Sequence, residues 1–317
     1  MAVLTSTGTV RVGLDIGGTK IDGVALGPGE EVLATRRSPT PHGVVDVVAC
    51  ATALVTGLLD DLAGGLAGGL AGPVRLEGVG IGVPGLVDPA DGTVRSAVNL
   101  GFGPGPVDLA GMLSVAVGGV PVVVENDVKA TTWGAHTLLA PAGDLALLSL
   151  GTGLAAGLVV NGELLRGAGA AAGEIGHLAL DPQGHRCNCG QRGCLETVAA
   201  GSALRRDWPH GGEGRSADHL FAAVAAGDPA AVAVLDRWSA GVALAVRTLG
   251  LTFDPSVVVL AGGVAAVGEP LRRSVAGALR RQAAGSAFLR GLALDERLAL
   301  LPPGRPVAAI GAAAAPA

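Results

Sequence analysis

The sequence predicts a two-lobed α/β protein in which one architectural unit occurs twice. Three observations lead there. The chain has 317 residues, too many for one ordinary core at roughly 100–200 residues per domain. Apolar alternation flanks two short turns, Gly17-Gly18 and Gly151-Thr152-Gly153, in the same strand, turn, strand pattern. Apolar strands ending in polar or glycine-rich turns alternate with helical stretches, and such strand ends hold ligands in α/β folds.

Val10, Val12 and Leu14, then Ile21, Val24 and Leu26, predict the first hairpin. Val44, Val47, Val48, Ala51, Leu54 and Leu58 recur at helical spacing, and Cys50 within that helix reads as a small buried apolar residue. Residues 62–72, LAGGLAGGLAG, are a permissive loop or a frayed helix end. Gly78 to Val83 and Pro121 to Val124 read as buried strands, closed by VPGLVDP and by Glu125-Asn126-Asp127. Leu145 to Leu150 and Leu154 to Val160 form the second hairpin. From Ser202 the pattern is mainly helical, its longest run Pro229 to Leu249 with Asp228 as cap. A strand at Val257 to Leu260 runs into Ala261-Gly262-Gly263, and Pro306 to Ala315 reads as a final helix. The expected division is an N-terminal lobe over 1–125 and a C-terminal lobe over 126–317, the final helix packing back on the first lobe.

Composition narrows the function. Lys and Arg total 22 against 27 Asp and Glu, a net charge of -5 without a dense basic run. That opposes nucleic acid as a partner, since backbone phosphates require a basic face. Aromatics make up 2% and Tyr is absent, leaving few platforms on which bases stack. The most apolar stretch, Leu109 to Val124, is broken by glycines, Ser114 and Pro121 and falls short of the ~20 residues of a membrane helix. The opening residues lack the basic segment and apolar core of a signal peptide, so a cytoplasmic location is expected.

Several groups carry chemistry. In Asp15-Ile16-Gly17-Gly18-Thr19-Lys20 the glycines let backbone N–H groups approach phosphate oxygens, Thr19 offers a hydroxyl, Lys20 a cation, and Asp15 can hold Mg²⁺ through water. The same residues also suit an ordinary hairpin turn. Gly151-Thr152-Gly153 repeats the arrangement, and Gly262-Gly263 would let an adenosine lie on bare backbone. His177, Cys187, Cys189 and Cys194 offer four ligands for a tetrahedral, hence structural, zinc, with His185 as the alternative imidazole. Glu174 and Glu196 bracket this loop, either as solvated acids or as partners for sugar hydroxyls. Asp127 is either a helix N-terminal residue or a general base for a hydroxyl under phosphorylation.

In this order and spacing, DIGGTK, GVPG, END, LGTG, GEIGH and CNCGQRGCLE resemble the ROK family of sugar kinases and repressors, from Val12 to the last helix. The resemblance implies a two-lobed, actin-like ATPase fold of the duplicated ribonuclease H type, with sugar in an interlobe cleft and ATP over the two turns. It makes Asp127 the catalytic base and has Gly85, Asn99, Asn126, Glu174, His177 and Glu196 bind the sugar. Asp15, Gly17, Gly18, Thr19, Lys20, Gly151, Thr152 and Gly153 would address Mg²⁺ and phosphates, and Gly262 and Gly263 the adenosine. His177 would serve sugar and zinc through its two ring nitrogens. The implied reaction is phosphorylation of the 6-hydroxyl of glucose. The alternatives are amino sugars (N-acetylglucosamine, N-acetylmannosamine or 3-amino-3-deoxyglucose) and a sugar-responsive regulator, for which the fourteen residues before Asp15 are too few to hold a DNA-binding domain. Family members are dimers or tetramers, so a homo-oligomer is expected. Ala155 and Ala156 replace usual glycines, which predicts a less open second turn, and Lys129, Trp133 and His136 stand where other residues are usual, which points to a cleft mouth or a lobe contact.

Overall fold

The computed structural model describes residues 8–64, 74–209 and 214–315; most of the Gly/Ala repeat at 62–72 lies outside them. The chain forms two compact units. The first comprises the described residues of Met1–Ala140, Arg166–Ala170 and Gly304–Ala317, the second those of Pro141–Leu165 and Ala171–Pro303.

The first unit opens with β1 (Gly8–Ile16), β2 (Lys20–Leu26), β3 (Val32–Pro39) and α1 (Val44–Ala63), continues through β4 (Val74–Val83), β5 (Leu86–Asp88), β6 (Thr93–Arg95), β7 (Val107–Asp108) and α2 (Leu109–Ala116), and ends in β8 (Val122–Asn126) and α3 (Asp127–Leu139). Its main sheet has the order β3-β2-β1-β4-β8, with β1 and β2 antiparallel and β1, β4 and β8 parallel. The parallel strands therefore end together, at Asp15-Ile16, Val83 and Asn126. Val12, Leu14 and Ile81 are fully buried, as parallel strands covered on both faces require.

The second unit contains β9 (Leu145–Leu150), β10 (Leu154–Val160), β11 (Glu163–Leu164), α4 (Glu196–Ala199), α5 (Gly201–Asp207), α6 (Ser216–Ala225), α7 (Pro229–Phe253), β12 (Val257–Ala261), α8 (Glu269–Ala283), α9 (Ala287–Gly291) and β13 (Leu298–Leu300). Its sheet runs β11-β10-β9-β12-β13, strand for strand the order of the first. Asp228 caps α7 by accepting from the Ala230 and Ala231 amides at 2.8 and 3.2 Å, and Pro229 occupies the first turn. Although α7 is long and apolar enough to cross a membrane, Val234, Trp238, Val242, Val246 and Leu249 bury it in this unit's core.

The last helix, α10 (Val307–Ala314), belongs to the first unit. It packs on β1, β4 and α3. The approach is so close that a side chain at Gly80 or Gly311 would strike the Ala312 or Ala130 backbone. Trp133 completes the join by donating Nε1–H to the Ala314 carbonyl at 2.8 Å.

This packing corrects the expected division after residue 125. The units part at Ala140, because α3 is held by α10 and by the short segment Arg166–Ala170, and Asp127 therefore lies in the first unit. The sequence pattern also missed β3, an edge strand whose Arg36 and Arg37 are exposed, and the small sheet β5-β6-β7.

Candidate active site

In the first unit, β1 delivers Asp15 to the shared strand ends, in register with Asp22 on β2 and Gly82 on β4. Burial pushes the Asp15 carboxyl up to about 7, the neighbouring Asp127 and Asp22 charges add to this, and Lys20 opposes it. The Lys20 ammonium is 2.7 Å from Asp22, which also pairs with Arg37. Despite its partial burial these cations hold the Asp22 carboxyl below its ordinary value. The turn between β1 and β2 is closed by Gly17 N–H on the Lys20 carbonyl at 3.0 Å and braced from outside, where Thr40 Oγ1 donates to the Gly17 carbonyl at 2.6 Å. Thr40 is a supporting residue that the motif alone does not reveal.

At the end of β8, Asn126 caps α3: its Oδ1 accepts from the Val128 and Lys129 amides at 3.0 and 3.3 Å, and its Nδ2 donates to the Gly85 carbonyl at 3.4 Å. Asp127 follows as the first residue of α3, its Oδ1 accepting from Val128 N–H at 2.9 Å. A carboxylate there is stabilised by the helix dipole. Gly85 has φ +103°, and a β-carbon would lie 2.7 Å from the Arg95 carbonyl, so no side chain fits. Asn99, exposed in the 3₁₀ turn Val98–Leu100, lies against Gly18. The first unit thus gathers Asp15, Gly18, Asn99, Gly85, Asn126 and Asp127 at one sheet edge.

In the second unit, the ligand atoms of His177, Cys187, Cys189 and Cys194 all lie within 4.8 Å of one another. Cys189 and Cys194 sulfurs are 3.6 Å apart, and Cys187 Sγ is 3.7 Å from His177 Nδ1. A tetrahedron with Zn–S bonds of about 2.3 Å has S···S edges of about 3.8 Å, so the donors fit zinc in number, type and spacing. His185 is outside the cluster. The backbone and side chain of Gln191, followed by the Cys187 side chain, lower the Cys189 pKa to about 6, which favours the thiolate a metal needs. Burial and then the Glu196 carboxylate raise that of Cys187.

Beside this cluster stand the two expected acids. Glu196 Oε1 accepts from Cys187 Sγ at 2.8 Å and lies 3.9 Å from His177 Nδ1. Glu174 Oε2 is 3.9 Å from the other ring nitrogen, Nε2. A β-carbon on Gly153 would come within 3.0 Å of Glu196 Oε2, so the second glycine turn adjoins the loop. Ala155 and Ala156 lie in β10, opposite Ser149 and Leu148. They lie in the strand that follows the turn.

Gly151, Thr152 and Gly263 line a cavity of about 430 Å³ together with Leu204, Arg205, Arg215 and Ala217. Gly262, φ +84°, would place a β-carbon 2.7 Å from the Leu150 backbone. Arg215 donates to the Gly263 carbonyl at 2.8 Å. Both arginines escaped the motif reading; their signal is two cations flanking the glycine-rich stretch before α6. Lys129 is buried and donates to the Ala170 carbonyl at 2.9 Å, and Trp133 stacks on His136 at 5.3 Å between ring centres.

The chain is similar to known proteins. Residues 11–296 match the model of the ROK family. The chain is 33% identical to a glucokinase of Streptomyces coelicolor over 298 residues, 84% of this chain and 86% of that protein. It is 29% identical to an N-acetylmannosamine kinase of Yersinia pseudotuberculosis, covering 83% and 86%. The crystal structure of a ROK glucokinase from Streptomyces griseus in complex with glucose and AMPPNP superimposes with a TM-score of 0.75 at 29% identity, over 96% of this chain and 98% of that one. The fold is the expected actin-like one, with its α/β unit duplicated, and the chain belongs to the ROK family.

Proposed function

We infer that the chain is an ATP-dependent sugar kinase, and we propose glucose as its sugar and the 6-hydroxyl as the acceptor. One observation carries the reading: Asp127, on the first turn of a capped helix, lies beside Gly82, the residue that pairs with Asp15. Two acids so placed suit a reaction that needs one carboxylate at an alcohol and another near a metal-bound triphosphate. The glucokinase relatives, one of them holding glucose and an ATP analogue, support the same reading.

In this mechanism Asp127 accepts the proton of the 6-hydroxyl as its oxygen bonds to the γ-phosphorus, and the bond from that phosphorus to the β,γ-bridging oxygen breaks to release ADP. Asn126, by capping α3, holds Asp127 still, while Asn126, Asn99, Glu174, Glu196 and His177 Nε2 bind the sugar hydroxyls beside Gly85. Thr19, Lys20 and Thr152, with the amides of Gly17, Gly18, Gly151 and Gly153, receive the phosphates, and Gly262 and Gly263 flank the adenosine. Mg²⁺, when bound, offsets charge on the phosphates, and Asp15 is its natural anchor, since a divalent cation would relieve the crowded carboxylates. His177, Cys187, Cys189 and Cys194 would hold zinc, which would brace the sugar-binding loop.

An amino sugar is the second reading, favoured by the N-acetylmannosamine kinase relatives. An assay of ADP release across glucose, mannose, N-acetylglucosamine, N-acetylmannosamine and 3-amino-3-deoxyglucose decides between them. Glucose should give the highest kcat/KM; glucose among the slowest would reject it.

A further inference from the structure

Residues two before and two after Asp127 grip the two ends of one short piece of chain. Glu125, only 2% exposed, accepts from Arg166 Nε at 2.7 Å through one oxygen and from its neighbour's amide, Asn126 N–H, at 2.9 Å through the other. Lys129, 3% exposed, donates from Nζ to the Ala170 carbonyl at 2.9 Å. The strap between these anchors, Arg166–Ala170, belongs to the first unit, whereas the chain on both sides belongs to the second. Glu174 and His177 follow shortly after it.

Lys129 is costly where it stands. Lysine is almost never fully buried unless it is paired, and this ammonium donates a hydrogen bond to the Ala170 carbonyl. It also sits in the first turn of α3, where the helix dipole disfavours a cation. Its hydrogen bond to the strap offsets part of that cost.

We infer that Lys129 is a positioning residue for phosphoryl transfer. With the Glu125–Arg166 pair it locks the strap to both sides of Asp127, and so holds in place the strand end and first helical turn that carry the base. The inference rests on reading Asp127 as the base. Positioning lost by a fraction of an ångström to an ångström costs about ten- to a hundredfold. Lys129→Met should therefore lower kcat about tenfold or more and raise the KM for glucose, with the KM for ATP and the zinc content unchanged. Lys129→Arg, which can still donate to the Ala170 carbonyl, should recover most of the loss. Wild-type kcat and glucose KM in K129M overturn the inference. So does an equal loss for sugar and ATP that K129R does not repair, the mark of a merely structural role. If K129M does not fold, Arg166→Lys is read by the same split between sugar and ATP. Full turnover in Asp127→Asn would remove the base reading instead, and the sugar-against-ATP split in K129M would still decide whether the strap is positioned.

Discussion

The two units share a strand order but differ at matching positions. In the first hairpin, the residues facing each other one step before the turn are Asp15 and Asp22; in the second they are Ser149 and Ala155. The strand that follows beside each hairpin, β4 or β12, runs into a glycine of positive φ, Gly85 or Gly262. A single scaffold has thus kept the backbone geometry twice, while charge survives only in the first copy. The first unit can hold a cation and an acid. The second offers neutral hydrogen-bond donors, a cavity with arginines and a cysteine-rich loop. Duplication supplied the frame, and the side chains at the strand ends divided the chemistry.

The largest test of that division is Asp127→Asn. Without the base, kcat should fall about 10²–10⁴-fold while sugar affinity is kept. Steady-state kinetics with a direct sugar-binding measurement checks it, and retained turnover would take the acid role from the first unit. The next largest is in the second unit. Replacing Cys187 or Cys189 by Ala should release zinc and weaken sugar binding about tenfold or more, with ATP affected less. Metal analysis beside paired KM values reads this, and equal losses for both ligands would separate the zinc loop from the sugar.

Much of this frame was legible before any coordinates. The hairpins showed as apolar segments flanking Gly17-Gly18 and Gly151-Thr152-Gly153, and three cysteines within eight residues announced a cluster. What stayed hidden depends on distant partners. The division at Ala140 follows from Trp133 reaching the Ala314 carbonyl, a contact between residues 181 apart in sequence. No local pattern encodes it. Lys129 could be read only as a residue at a cleft mouth or a lobe contact, because its hydrogen-bond partner, the Ala170 carbonyl, is 41 residues away. Arg205 and Arg215 belong to no motif, and only folding brings them to the walls around Thr152. β3 escaped because an edge strand with arginines lacks the apolar signature of its neighbours.

Smaller effects sharpen the matching glycines. Gly262→Ala forces a side chain onto a left-handed backbone against the Leu150 main chain, at a cost of about 1–3 kcal/mol. Gly263 has no heavy atom within 4 Å of a built β-carbon, so Gly263→Ala should leave stability unchanged. Thermal melts of both variants, with and without nucleotide, separate fold from binding: a loss of nucleotide-induced stabilisation in G263A alone marks a backbone that faces the adenosine.

The smallest expected effect concerns charge, and it belongs to the first copy. The Asp15 carboxyl has its folded pKa raised to about 7 from 3.8. Between those values the folded chain holds a proton that the unfolded chain has released, so stability falls as pH rises from about 4 to about 7 and is level above. Asp15→Asn removes this dependence. In the ligand-free protein the variant should match the wild type near pH 4 and exceed it at pH 8 by on the order of 1–2 kcal/mol once solvent screening is allowed for. Ser149, its counterpart, carries no such charge, so Ser149→Ala should leave the pH profile of stability unaltered. Denaturant titrations at pH 4, 6 and 8 measure all three proteins. If D15N and the wild type run parallel across that range, the crowding of Asp15 by Asp127 and Asp22 is not what distinguishes the first copy from the second.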